Sequence, residues 1–275
     1  MIAEGHRNDA VPFCLYTAAQ SMLRVDLNAD VGESFGRYAV GDDATVLRSV
    51  ASASIAAGFH AGDPSVLRRT VRLAKEHGVA VGAHPGFADL AGFGRREIRM
   101  SGADVEDLIL YQIAAVAGVA ASEGLPLQHV KPHGALYNMA VRDRDLADAV
   151  VRATASFDRQ LILCAPPGSA LQEAARAAGV HVAREGFVDR AYQPDGTLVP
   201  RHLPGAVIAS VEEVVMRAIR IVTEQSVQAI DGSVLSLEVD TICVHGDTLG
   251  AGALAAWLKA GLMSSGVDVL PLGQK

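Results

Sequence analysis

The chain has 275 residues, half of them hydrophobic and a fifth charged, proportions that suit a large packed core. A net charge of −7 with no basic block or stripe excludes a phosphate-backbone binder, leaving small molecules and proteins as partners and no nucleic acid. The three cysteines, Cys14, Cys164 and Cys243, form no CxxC spacing and are odd in number, so neither a disulfide framework nor a zinc knuckle is expected and a cytoplasmic setting fits.

Residues 1–22 read as an N-terminal extension. Their apolar stretch VPFCLYTAA is short, contains Pro12 and follows acidic residues, unlike a secretory signal, and Met22 directly precedes the first convincing strand. No run approaches the ~20 apolar residues that span a bilayer, so no membrane partner is expected. From residue 23 short apolar runs alternate with amphipathic ones. LRVDLNAD (23–30) predicts a strand and DDATVLRSVASAS (42–54) a helix. IAAGFH (55–60) predicts the second strand. DPSVLRRTVRLAKEHG (63–78) follows as a helix with Asp63 at its N-cap, Pro64 at N1 and Gly78 past its end. After the strand VAVGAH (79–84), the helix 101–124 opens on the capping pair Ser101 and Asp104.

QHVKPH (128–133) is the fourth strand, and 144–157 the next helix. Strand 160–167, helix 169–179, strand 180–187, helix 210–225, strand 241–246 and helix 252–265 continue the alternation. Segments 190–201 and 227–240 each carry an Asp-Gly between β-prone residues, the signal of a hairpin turn. Seven βα units in one domain, 23–275, imply a parallel sheet buried on both faces. A barrel, closed or slightly open, and a doubly wound sheet both satisfy that pattern, and both gather chemistry at strand C-termini.

The polar residues obey that asymmetry. Strand ends carry Asp26, Asn28, Asp30 and Glu33; His60 and Asp63; His84; Lys131 and His133; Glu185, Asp189 and Arg190; then His245 and Asp247. One lone strand-end histidine is an ordinary hydrogen-bonded residue, but four at a common rim point to an active site. Asp63 is first a helix cap. Asp26, facing a barrel interior, must be paired or metal-bound. Lys131 is one of only four lysines and precedes Pro132 in a β-type segment. Held by a rim carboxylate, it can stabilise an oxyanion or phosphate, act as a nucleophile, or form a structural ion pair. Arg95 and Arg96 can grip a substrate carboxylate or cover the surface. His6, His77, His129, His181 and His202 sit at strand starts, helix ends or loops and take no role. Asp26, His60 and His84 are candidate ligands for a divalent metal, although no HExxH spacing occurs. GxxxxGK[ST], GxGxxG after a strand and GxSxG are all absent from the sequence.

The segments VDLNADVGESFG, AGFHAGDP, GVAVGAHPGFADLAGFGRREI, LYQIAAVAG, HVKPHGALYN, FVDRAYQPDGTLVPR and ICVHGD together resemble the LamB/YcsF family, from about Leu23 to the C-terminus. Ala57 stands where the family pattern leads one to expect a cysteine, so no essential thiol is expected there. The resemblance implies a (βα)7-type barrel related to glycoside hydrolases and deacetylases. It also implies the reaction 5-oxo-L-proline + ATP + 2 H2O → L-glutamate + ADP + phosphate, shared with 5-oxoprolinase subunits B and C, so that ATP is a co-substrate of the assembly. On that basis Asp26 and His84 are the leading candidates for deprotonating water, Lys131 for stabilising charge, and His133 or His245 for protonating the leaving nitrogen. Asn28, Asp30, Glu33, His60, Arg95, Arg190 and Asp247 then bind the substrate, with Arg95 or Arg190 on its carboxylate. A stand-alone metal-dependent amide or N-acetyl hydrolase and a non-catalytic substrate-binding scaffold are the rival expectations.

Overall fold

A computed structural model describes residues 23–248 and 250–274. The expected extension 1–22 lies outside the described residues. Seven parallel strands close a barrel: β1 (Leu23–Val31), β2 (Ser52–Ala56), β3 (Ala80–His84), β4 (Leu127–Val130), β5 (Ile162–Ala165), β6 (His181–Phe187) and β9 (Thr241–His245). β9 returns to β1 with Asp26 opposite Thr241 and Asp30 opposite His245. Helices α1 (Asp43–Val46), α2 (Pro64–His77), α3 (Gly102–Ser122), α4 (Gly134–Ala140), α5 (Arg144–Phe157), α6 (Ala170–Ala178), α7 (Val211–Glu224) and α8 (Ala251–Ser264) connect them. A short strand β10 (Val267–Val269) extends the sheet beside the start of β1, and β7 (Ser226–Gln228) pairs with β8 (Val234–Ser236) as an antiparallel hairpin.

The seven expected strands are those that form the barrel, and the closed alternative holds. Local chemistry explains several boundaries. Asp63 accepts from the amides of Ser65 and Val66 at the start of α2, and Gly78 ends that helix in the left-handed conformation. Ser101 accepts from Asp104 N at the start of α3. The turn at Asp231-Gly232 closes the β7–β8 hairpin, with Ser233 N donating to Asp231. Around Asp195-Gly196 only isolated bridges form, Tyr192 to Leu198 and Arg190 to Val207.

Three expectations need correction. The helix expected over 42–54 is the single turn α1, and residues 52–54 belong to β2 instead, shifting that strand from 55–60. Small residues with weak local preference pair there with β1 and β3, and tertiary pairing overrides propensity. Secondly, α3 is by length and composition long enough to cross a membrane, contrary to the expectation that no segment approaches that limit. Its Val105, Ile109, Ile113, Val116 and Ala120 are buried in the layer between barrel and helices. Thirdly, α4 and β10 had no counterpart in the sequence pattern.

That layer is the main core. Leu27, Ile55, Leu163 and Ile242 on the outer face of the barrel pack with Ile109, Ile113, Leu171, Ile221 and Leu258 of the helices, all fully buried. The inner face differs from a barrel filled with branched aliphatics. On β1 the alternation sends Asp26, Asn28 and Asp30 inward, and Ser52, Ser54, His129, Glu185, Thr241 and Cys243 join them, all buried. A polar column therefore runs up the inside of the barrel.

Candidate active site

At the N-terminal floor of the column, Asp26 accepts a hydrogen bond from Ser52 Oγ (2.6 Å) and another from Thr241 Oγ1. Burial raises its pKa to about 7, and the two hydroxyls only partly offset this. Thr241 Oγ1 in turn accepts from Asn28 Nδ2 at 2.7 Å. His129 lies between Ser54 Oγ (3.1 Å) and Gln128 Oε1 (3.2 Å), and burial lowers its pKa to about 3. Asp26 and Asp30 are four residues apart on one strand face, a separation of about 13 Å along β1. Asp26 thus belongs to the floor and stands apart from His60 and His84, with which the sequence grouped it as a metal candidate.

Lys131, just past β4, joins floor to mouth. Its Nζ lies 2.8 Å from Asp30 Oδ1, 2.9 Å from Glu185 Oε1, 2.9 Å from Cys243 Sγ and 3.2 Å from Asn28 Oδ1. An ammonium has three protons, and four acceptors surround this one. Burial opposes the charge, but Asp30, Cys243 and Glu185 more than offset it and raise the Lys131 pKa well above its ordinary value. Burial likewise opposes the Asp30 carboxylate, but the Lys131 ammonium 2.8 Å away holds it ionised. Tyr137 of α4 donates to Glu185 Oε2 at 2.7 Å, completing that carboxylate's set.

The mouth is built by turns. Gly32 (φ +71) reverses the chain past β1, where a Cβ would come within 2.9 Å of Ile55, and Glu33 follows it. Gly94 (φ +63) leaves room for two rings, since its Cβ would meet His60 and His133 within 2.8 Å. Beside it Phe93 holds a left-handed backbone (φ 54), uncommon for an aromatic residue, and its carbonyl accepts from His133 Nε2 at 2.8 Å.

His84 Nδ1 donates to the Lys131 carbonyl at 2.7 Å, so the lone pair of the neutral ring is on Nε2. His133, whose proton is spent on Phe93, has its lone pair on Nδ1. These two atoms face each other at 2.9 Å. Glu33 Oε1 stands 3.6 Å from His133 Nδ1 and 3.5 Å from His60 Nε2, and His60 lies flat on His133 with ring centroids 3.8 Å apart. Neither Glu33 Oε1 nor either nitrogen of His60 has a hydrogen-bond partner among the described residues, although both residues are buried. Burial lowers the pKa of all three imidazoles and raises that of Glu33.

On the other side of Asp30, His245 Nδ1 is 2.8 Å from Asp189 Oδ2. The carboxylate accepts from Nδ1–H, leaving the lone pair on Nε2, the arrangement of a general base with its orienting acid. Arg95 reaches Asp247 at 2.5 Å with its guanidinium 4.9 Å from the Phe93 ring centroid. Arg190 is buried without a carboxylate partner among the described residues. It donates to the carbonyls of Val199 (2.6 Å) and Ala206 (3.3 Å), and burial followed by the nearby Arg201 pushes its pKa down to about 10. Arg96 instead pairs with Asp89, outside this set.

The mouth therefore gathers Asp30, Glu33, His60, His84, Lys131, His133 and His245, with Arg95, Asp247 and Arg190 around them. Asp63 is a cap whose second oxygen accepts from Gly36 N. The sequence pattern gave no role to Tyr137, Glu185, Asp189 or Cys243. Glu185 and Asp189 were visible as strand-end carboxylates, whereas Tyr137 lies on a helix that its short run of residues did not announce.

Fold and site define a parallel (βα)7 barrel with a polar, acid–base mouth at the C-terminal ends of its strands. The chain belongs to the LamB/YcsF family, whose profile matches residues 25–275. It is 53% identical over 251 residues, 91% of this chain and 98% of the relative, to a Pyrococcus furiosus protein named as the A subunit of 5-oxoprolinase. A protein of the same name from Symbiobacterium thermophilum is 52% identical over 90% of this chain and 94% of its own. A crystal structure of a lactam utilization protein from Thermus thermophilus superposes with a TM-score of 0.86 at 48% identity, covering 90% of this chain and 99% of that one. A putative cellobiose-phosphate cleavage protein from Enterococcus faecalis shares the fold alone, at TM-score 0.52 and 12% identity.

Proposed function

We propose that this chain is the ring-opening subunit of an ATP-dependent 5-oxoprolinase that works with separate B and C subunits in the cytoplasm. The relatives' names support a multi-subunit lactam hydrolase, and Cys164 and Cys243, free and buried, favour a reducing compartment. The observation that carries the chemistry is the His245–Asp189 dyad beside a mouth whose polar groups are incompletely satisfied.

A five-membered lactam is a resonance-stabilised amide, so water attacks it slowly. Transfer of the ATP γ-phosphoryl group to the lactam oxygen, assigned to the assembly with its B and C subunits, makes the ring carbon electrophilic. His245 Nε2 takes a proton from the first water as its oxygen adds to that carbon. The carbon–nitrogen bond then breaks, the proton passes to the ring nitrogen, and an acyl phosphate remains. A second water releases phosphate and leaves glutamate, which accounts for two waters. Asp189 keeps His245 oriented. Arg95 and Arg190 hold the substrate carboxylate. Lys131, with its donors engaged internally, positions Asp30, Asn28 and Glu185 rather than touching substrate. Asp26 is too deep for the role of base, and both nitrogens of His84 face other groups, which leaves His245.

Glutamate release from 5-oxoproline, measured with and without ATP and the B and C subunits, tests the proposal. Turnover is expected only in the complete, ATP-supplied mixture, and His245→Ala is expected to lower its kcat about 10²–10⁴-fold. ATP-independent turnover by the chain alone would replace the proposal with a stand-alone amide hydrolase. Undiminished turnover by His245→Ala would remove His245 from the chemistry.

A further inference from the structure

We infer that Glu33, His84 and His133, joined by His60, form a binding site for one divalent transition-metal ion. The starting point is the pair of lone pairs facing each other at 2.9 Å, His84 Nε2 and His133 Nδ1. Each ring has already committed its only proton to a backbone carbonyl, the Lys131 oxygen at 2.7 Å and the Phe93 oxygen at 2.8 Å. Two neutral imidazoles arranged in this way repel unless a cation lies between them. A second ring nitrogen bound to a carbonyl is also how metal-ligating histidines are oriented.

The buried atoms without partners supply an independent observation. Among the described residues, Glu33 Oε1 and both nitrogens of the fully buried His60 find no hydrogen-bond partner, a condition that costs free energy unless a ligand satisfies them. The donor atoms of Glu33, His60, His84 and His133 all lie within 4.8 Å of one another. Ligands around tetrahedral zinc stand about 3.3 Å apart, close to the 2.9 Å between His84 Nε2 and His133 Nδ1 and the 3.6 Å between Glu33 Oε1 and His133 Nδ1. Two imidazoles and a carboxylate suit zinc, cobalt, manganese or iron, and they match the donor type of catalytic zinc sites that keep one position open. His60 stacks on His133 and so needs to turn to direct a nitrogen at the ion, a motion that breaks no hydrogen bond. The neighbouring group Asp30, Cys243 and His245 is excluded, because the Lys131 ammonium already sits between Asp30 and Cys243.

The site is tested on the purified chain at equilibrium, without ATP, lactam or the other subunits. Protein stripped with EDTA is titrated with Zn²⁺ by calorimetry and with Co²⁺ by visible absorption, and retained metal is counted after desalting. One ion per chain is expected, with the d–d bands of a low-coordinate cobalt centre. His84→Ala and His133→Ala should each weaken binding at least about 100-fold and Glu33→Gln about 10–100-fold, with a smaller loss for His60→Ala. His181→Ala, an exposed histidine at the start of β6, should bind as the parent does. Should an alanine variant fail to fold, the isosteric Glu33→Gln carries the test alone. Binding by the parent no tighter than by the His84→Ala/His133→Ala double variant would overturn the inference, as would unweakened binding by a folded Glu33→Gln. Turnover enters none of these readouts, so a wrong assignment of the 5-oxoprolinase reaction and a wrong assignment of the ion are distinguishable.

Discussion

The floor and the mouth of the barrel interior are built from the same residue types but finished differently. On the floor, Asp26, Ser52, Thr241, Asn28, Ser54 and His129 satisfy one another through short internal hydrogen bonds. At the mouth, Glu33, His60 and Asp189 keep buried atoms without partners among the described residues, and two histidines present lone pairs to each other. A saturated polar network specifies a packing arrangement, whereas an unsaturated one is complete only with a ligand. Both regions are buried, and they differ in how far their hydrogen bonds are satisfied.

Lys131 is the joint between them, and replacing it gives the largest expected effect on stability. Lys131→Met leaves Asp30 and Glu185 buried without their cation, which should destabilise the fold by about 3–5 kcal/mol in urea unfolding. Adding Glu185→Gln should recover part of that loss. A Lys131→Met protein as stable as the parent would mean that floor and mouth are not coupled through this ammonium.

Asp26 tests the floor through pH. Its folded pKa of about 7 exceeds the 3.8 of an ordinary aspartate, so between those values the folded state binds more protons than the unfolded one. Stability contributed by this group is therefore present below about pH 4 and lost as pH rises towards 7. Asp26→Asn should remove the dependence and stabilise the protein at pH 8, by a ceiling of about 4 kcal/mol, with no gain at pH 4. Thermal melts across that range decide it. A folded Asp26→Asn chain that has lost turnover would bring the floor into the chemistry and break the comparison.

The smallest effect is expected at Tyr137, whose hydroxyl completes the Glu185 carboxylate. Tyr137→Phe should cost about 1.5 kcal/mol in the same unfolding measurement. A loss near zero would show that Glu185 is adequately held by Asn28 and Lys131 alone.

Much of the architecture was legible in the order of residues. Apolar runs of strand length, the Asp63 and Ser101 caps and the glycines that end helices are local signals, and they placed seven βα units in the chain. Strand C-termini marked His84, Lys131, His133 and His245 as one rim. The sequence could not separate Asp26 from Asp30, because period-two alternation assigns both to the same face and says nothing of depth. It also pointed to the wrong state over 52–54, since small residues with weak preference take their state from whichever strands pair with them.

Pattern along the chain thus determined the seven βα units and the strand ends that carry the rim, and its motifs determined the family, while the pairing of β9 with β1 decided closure into a barrel over a doubly wound sheet. Tertiary structure alone decided which polar groups are saturated, that Lys131 has no free proton to offer a substrate, and that His245 rather than Asp26 or His84 keeps an available lone pair beside an orienting carboxylate. The physical reason is that these properties depend on partners from different strands and strand ends, whose separations of a few ångströms across the barrel correspond to between 56 and 213 residues along the chain.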